Sequence, residues 1–220
     1  MRIRICGSKN NIDISNSKLM SRFLRVLLAA VFFCAQQLPA INATEREEIR
    51  ALYKRGLAGE KNAVEQCIAK LEKAVAAEPD NQVARVYLGS AYTLRSRDLW
   101  IGPAKLAALK RGLALMDEAV AAAPRDAKVR LVRALTEDSL PFFFGRKRMA
   151  REDFSMALAI LKRNPDNLED GDKQTLYYSA GEVAKEAGDR ARARELWNAA
   201  ARYPIDAALA LKISAALARP

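Results

Sequence analysis

Histidine is absent from the 220 residues. That removes the commonest general base near neutral pH and the commonest metal ligand. No glycine-rich phosphate loop, metal-ligand spacing or nucleophile elbow stands in for it. Glu182, Glu186 and Asp189 lie close in sequence, but at ordinary helix-surface spacing. The chain is therefore expected to be non-catalytic, with no cofactor and no metal. Glycine (10) and proline (8) are few, and β-branched residues are sparse beside alanine and leucine. This balance favours helix over sheet.

Long apolar runs are also missing. The run from Val26 to Ala35 has about ten residues, half of what a spanning helix needs, and suits the core of an export signal. Arg22 and Arg25 precede it, and small residues follow at Ala40 and Ala43. Residues 1–43 read as a signal peptide with cleavage after Ala43, or alternatively after Ala40. Met20 is a second candidate start. Phe33 before Cys34 argues against lipoprotein processing, which wants a small residue there. Removal of this segment takes away six basic residues and one acid, leaving 31 basic and 25 acidic residues and a net charge of +6 instead of +11. A moderately basic exported domain suits an acidic partner; nucleic acid is not expected. The expected location is the bacterial periplasm or the exterior.

Cysteine is equally scarce. Of three cysteines only Cys67 lies beyond residue 43, so a mature chain has no internal disulfide. Cys67 falls where a small apolar residue is wanted, and burial is expected.

The clearest local pattern runs from Gly181 to Pro204. Two helical stretches meet at the turn signal Gly188-Asp189, small residues at Gly181, Ala184 and Ala193 allow close approach, and Pro204 stops the second helix. Looser copies precede it. Thr44 with Glu47 forms a candidate capping box. Ile49, Leu52, Tyr53 and Leu57 give one apolar stripe, and Val64, Cys67, Ile68, Leu71 and Val75 give the next. A third helix is predicted over Gln82–Leu94. Pro103 is a good first helical residue for a helix reaching Ala123. Pro141 should end the preceding helix near Ser139. A turn is predicted from Pro165 to Asp172, and Asp206 should cap a final helix over Ala207–Ala218.

Within the third helix, Leu88, Gly89 and Tyr92 match L-G-x₂-Y, with Arg85 where the full signature has Trp. The second half, A-x₃-F followed by Pro, recurs in degenerate form: Cys67, Leu71, Ala74 and Pro79; Gly112, Met116, Ala119 and Pro124; Ala150, Phe154, Ala157 and Pro165; Ala193, Trp197, Ala200 and Pro204. The chain here resembles the tetratricopeptide repeat family. The resemblance implies an all-α, right-handed solenoid of about four helical hairpins over residues 44–220, with a C-terminal capping helix. It also implies a task of holding a protein or peptide partner.

Two departures from the repeat stand out. Gly89 to Gly112 spans 23 residues and Ala134 to Ala150 spans 16, against 12 for Gly181 to Ala193. The surplus residues fall inside hairpins, at 95–103 and 140–148. Equivalent turns of a solenoid share one edge, so Trp100 and Phe142–Phe144 are expected to be neighbours, with Arg146 among the basic residues flanking them. Either these aromatics form an exposed docking site for a partner, or they pack on each other and fill the gap. A further alternative is that the inserted loops close a pocket for a small molecule or lipid. The second candidate site is the inner groove: Arg130 and Arg133 share a helix face, and with Arg85 on the matching stripe they form a candidate carboxylate receptor. Against this stands a solvated face with pairs such as Arg133 to Glu137.

Overall fold

The computed structural model describes residues 42–218. They fold into nine α-helices, with no strand among the described residues. These are α1 (Ala43–Leu57), α2 (Lys61–Ala77), α3 (Gln82–Asp98), α4 (Pro103–Ala122), α5 (Ala127–Asp138), α6 (Lys147–Arg163), α7 (Asp170–Glu186), α8 (Arg190–Ala200) and α9 (Ala207–Leu217). Among the described residues no helix is long and apolar enough to cross a membrane. The predicted signal peptide lies almost wholly outside them.

Helices pair in sequence as α1–α2, α3–α4, α5–α6 and α7–α8, and α9 packs on α8 and α7. The first helices of successive hairpins also touch: α1 with α3, α3 with α5, α5 with α7. The core follows this order as a series of local clusters. Ile49, Val64, Ile68 and Leu88 join the first hairpin to α3. Val86, Met116, Val129 and Val132 join the second hairpin to α5. Leu131, Phe154, Leu176 and Leu196 join the third to the fourth, and Trp197 and Ile213 seat the last helix. Each hairpin buries its apolar face on its neighbours, the logic of a solenoid.

Small residues set the close crossings. A Cβ on Gly89 would lie 2.6 Å from the Gly112 carbonyl oxygen, and one on Gly112 would lie 2.5 Å from that of Gly89. The 23-residue separation therefore does not break the repeat; the extra residues simply lengthen α3 and α4 beyond the crossing. In the last hairpin Gly181 forms a notch for the Trp197 indole, whose Cδ1 would stand 2.5 Å from an added Cβ. Gly188 turns the chain with φ 86°, and Asp189 then caps α8 by accepting from the Arg192 N–H at 2.9 Å.

Three predicted boundaries are corrected. Asn42, not Thr44, caps α1: its Oδ1 accepts from the Glu45 N–H at 2.8 Å, and Thr44 is already inside the helix. α3 runs on to Asp98 rather than stopping at Leu94, because nothing between Arg95 and Asp98 breaks a helix. α7 begins at Asp170, not after Asp172, following one 3-10 turn at Pro165–Asn167. Pro103 does open α4, α5 ends at Asp138 with Ser139 as its cap, and Asp206 caps α9. Cys67 is buried, and burial pushes its thiol up to about 11.

Candidate functional site

The connection after Asp98 and the connection after Ser139 both stand at the intrahairpin edge, and together they line one cleft of about 500 Å³. Ile101 and Gly102 come from the first, Leu140, Pro141, Phe143 and Phe144 from the second, and Leu94, Leu106 and Leu109 form the floor and wall from α3 and α4. The predicted adjacency of the two insertions is thus present.

The aromatics do not bury one another. Trp100 is 91% exposed, Ile101 86%, Phe142 82% and Phe143 69%. Phe142 and Phe143 meet edge to face at 5.9 Å, and Phe143 and Phe144 lie 4.6 Å apart, but these contacts leave one side of the rings to solvent. Leu57, from the corresponding turn of the first hairpin, is exposed as well. Isolated exposed apolar residues are ordinary; here Ile101 and Phe143, from different turns, line the same cleft.

The chain holds this edge rigidly from below. Phe142–Phe144 form a 3-10 turn that Gly145 closes at φ 70°. Two ion pairs staple the base of that turn: Arg146 to Glu137, with Nε 2.9 Å from Oε1, and Lys147 to Asp138 at 2.9 Å. On the other insertion Lys105 donates to the carbonyls of Ser96 (2.7 Å) and Leu99 (3.1 Å), closing the end of α3. Arg97 donates to Gly56 O at 2.9 Å and ties the α1–α2 turn to the same edge.

Neither the known family models nor the curated proteins contain a match to this sequence. Among solved structures, the crystal structure of a thermophilic TPR protein from Thermus thermophilus is similar over 92% of this chain and 94% of that one. It has a TM-score of 0.55 and 19% sequence identity. The fold is a tetratricopeptide-repeat-like helical solenoid, with four hairpins and a capping helix among the described residues.

In this tetratricopeptide fold the arginines proposed for the inner groove have other duties. Arg130 and Arg133 do share a face, but it turns toward α6 and α4. Asp153, fully buried on α6, accepts from Arg130 Nη1 at 2.6 Å and from Arg133 Nε at 2.6 Å and Nη2 at 3.0 Å. Arg133 also reaches Asp117 on α4 at 3.0 Å. The pair Arg133–Glu137 is replaced: Glu137 receives Arg146, and Arg146 also binds Asp117 at 2.6 Å. Burial pushes the Glu137 carboxyl up to about 6, although Arg146 and Arg133 pull it down, and its Oε2 has no hydrogen-bond partner. Arg85 donates to Pro79 O at 2.7 Å, and Arg130 Nε to Pro124 O at 2.7 Å. The six-residue spacing is the same in both, so these arginines fasten successive interhairpin turns. Arg130, Arg133 and Arg146 are each paired with a carboxylate of the chain itself, whereas Arg85 holds only a turn carbonyl.

The first helices are cross-linked among themselves. Ser90 Oγ lies 2.7 Å from both the Tyr53 hydroxyl and Thr136 Oγ1, joining α1, α3 and α5. Lys128 pairs with Asp172 at 2.5 Å and sits 5.6 Å over the Tyr87 ring, and Arg50 reaches Glu169 at 3.3 Å. Sequence reasoning missed this ladder. Tyr53, Ser90 and Thr136 are 37 and 46 residues apart, and only the superposition of hairpins aligns them.

Proposed function

We propose that this chain is a non-catalytic, exported scaffold that holds a protein partner at the edge built by its two inserted connections. The observation that carries the reading is the exposure of Trp100, Ile101, Phe142 and Phe143 on a braced frame. Large rigid apolar side chains presented beside a cleft are the usual anchors of a protein interface. Tetratricopeptide solenoids are adapted to such contacts by their extended surfaces, and the inner ladder and committed arginines leave the edge as the better-equipped surface. Export to the bacterial envelope is supported by the sequence of residues 1–43, and an acidic partner by the net positive charge that remains without them.

A second reading has its own observation. The cleft of about 500 Å³ with a mainly apolar lining is within the size range of small-molecule sites, so a lipid or apolar small molecule is the alternative occupant. A photoreactive residue placed at Phe143 and, separately, at Tyr87 separates the possibilities in native cells. Protein adducts at Phe143 and not at Tyr87 support the scaffold reading. Adducts at Tyr87 alone contradict it. Co-purifying lipid without protein adducts favours the second reading.

A further inference from the structure

The cleft has five polar side chains in its lining, and all five are spent inside the protein. Thr93 Oγ1 donates to Ser90 O at 2.7 Å, Ser96 Oγ to Lys105 O at 2.9 Å and Ser139 Oγ to Thr136 O at 2.6 Å. Lys105 and Arg97 are held by the carbonyls described above. A segment entering this cleft therefore finds apolar contacts and no free side-chain donor. An extended peptide would bring backbone carbonyls and N–H groups that lose water and gain nothing, an unfavourable exchange. A helix satisfies its own backbone and presents only side chains.

Charge adds a second constraint. Lys110 and Arg111 on α4 and Arg148 and Arg151 on α6 are exposed, and none forms an ion pair among the described residues. Lys110 directly follows the lining residue Leu109, and Arg148 stands in the first turn after the phenylalanine loop. Four acids of this region are engaged, Asp98 with Arg97, Asp138 with Lys147, and Asp117 and Glu137 with Arg146, while Glu152, exposed on α6 beside Arg151, is in no ion pair among the described residues. Lys110 and Arg148 are thus exposed, unpaired cations on the two helices that follow the inserted connections, next in sequence to the apolar socket.

From these two observations we infer that the cleft receives an amphipathic α-helix of the partner, its apolar stripe between the two inserted loops and acidic residues on its flanks. The inference rests on the edge being the contact surface. It differs from an extended peptide laid along the inner helices, because the donor-free lining is at the edge.

The test uses the chain from residue 41 onward and four probes. The first is a synthetic peptide with Leu at i, i+3, i+4 and i+7 and Glu on its flanks. The second has Lys in place of Glu, and the third has the first's composition with a central Pro that breaks the helix. The fourth is a set of vesicles containing anionic phospholipid. The expected result is binding of the first peptide at least about ten-fold tighter than of the other two, weakening with salt. Arg148→Glu and Lys110→Glu, on the exposed surface, should each lower that affinity several-fold while leaving the circular dichroism unchanged. Equal binding of the proline peptide overturns the helical inference and leaves the edge in place if Phe143→Ser abolishes both. Binding to vesicles but not to peptides overturns the protein partner in favour of a membrane surface. Peptide binding that Ile101→Ser with Phe143→Ser does not alter overturns the edge itself, and no binding of the first peptide overturns the helical inference.

Discussion

Replacing Asp153 with Asn is the sharpest probe of what Arg130 and Arg133 do. The carboxylate is fully buried, takes three hydrogen bonds from two guanidinium groups, and those side chains are only 11% and 10% exposed. Asn keeps the shape but removes the charge, and its amide N–H₂ cannot accept. Arg130 is then left with no carboxylate, and Arg133 with only Asp117, in a largely dry interface between α5 and α6. Breaking a buried pair in this way costs about 3–5 kcal/mol. For a domain of this size, with a urea m-value of about 2–3 kcal/mol/M, the midpoint should fall by about 1–2.5 M. Urea unfolding followed by circular dichroism and by tryptophan emission reads it. The triple variant Asp153→Leu, Arg130→Met, Arg133→Met should recover to within about 1 kcal/mol, because an apolar cluster of similar volume replaces the Asp153 pairs while Asp117 keeps Arg146. A loss below about 1 kcal/mol in Asp153→Asn, together with reduced partner recovery, would refute the structural assignment and return the arginines to ligand binding.

Three other outcomes follow from the geometry. Glu137 has a folded pKa of about 6 against an ordinary 4.5, so the native state binds its proton more tightly. Its contribution is fully present below about pH 4.5 and is lost as pH rises through about 6, amounting to about 2 kcal/mol. Wild type should therefore lose about that much relative to Glu137→Gln between about pH 4 and pH 7 in paired urea titrations, and a constant difference would contradict it. Gly181→Ala should cost about 1–3 kcal/mol by overpacking despite its better helix propensity, since its Cβ meets Cδ1 of the Trp197 ring at 2.5 Å; a shifted Trp197 emission in a Trp100→Phe background would report the displaced indole. Cys67, buried with its thiol pushed up to about 11, should resist a thiol reagent at about pH 8 in the native chain and react at once in urea.

The hairpin plan was legible because it rests on local signals. Gly188-Asp189, Pro103 and Pro141 each act on the backbone where they stand, and the small residues at Gly89 and Gly112 mark the crossing whatever separates them in sequence. The edge was legible for the same reason: surplus residues in two equivalent turns must emerge on the same side of a solenoid. Whether its aromatics faced water was not legible, since a run of three phenylalanines can pack inward or outward and only the position of neighbouring hairpins decides. The arginines failed differently. Periodicity places Arg130 and Arg133 on one stripe, but whether that stripe faces the groove or α6 depends on the rotation of α5, and Asp153 lies 23 and 20 residues away with no sequence sign of its burial. At the start of α1 the spacing of Thr44 and Glu47 points to Thr44 as the cap, but Asn42, two positions earlier, meets the Glu45 N–H and takes that place. In the proposed exported form, cleavage after Ala40 would preserve the Asn42 cap, whereas cleavage after Ala43 would remove it.

The most direct test of the edge as contact surface is recovery of the partner from native cells, under mild cross-linking, by wild type and by Trp100→Ser with Phe143→Ser. Both side chains are exposed, so the variant should melt within a few degrees of wild type. The expected result is a partner recovered by wild type and lost by a variant that remains folded. Undiminished recovery by the folded variant, or unfolding of the variant, would contradict the edge as the contact surface.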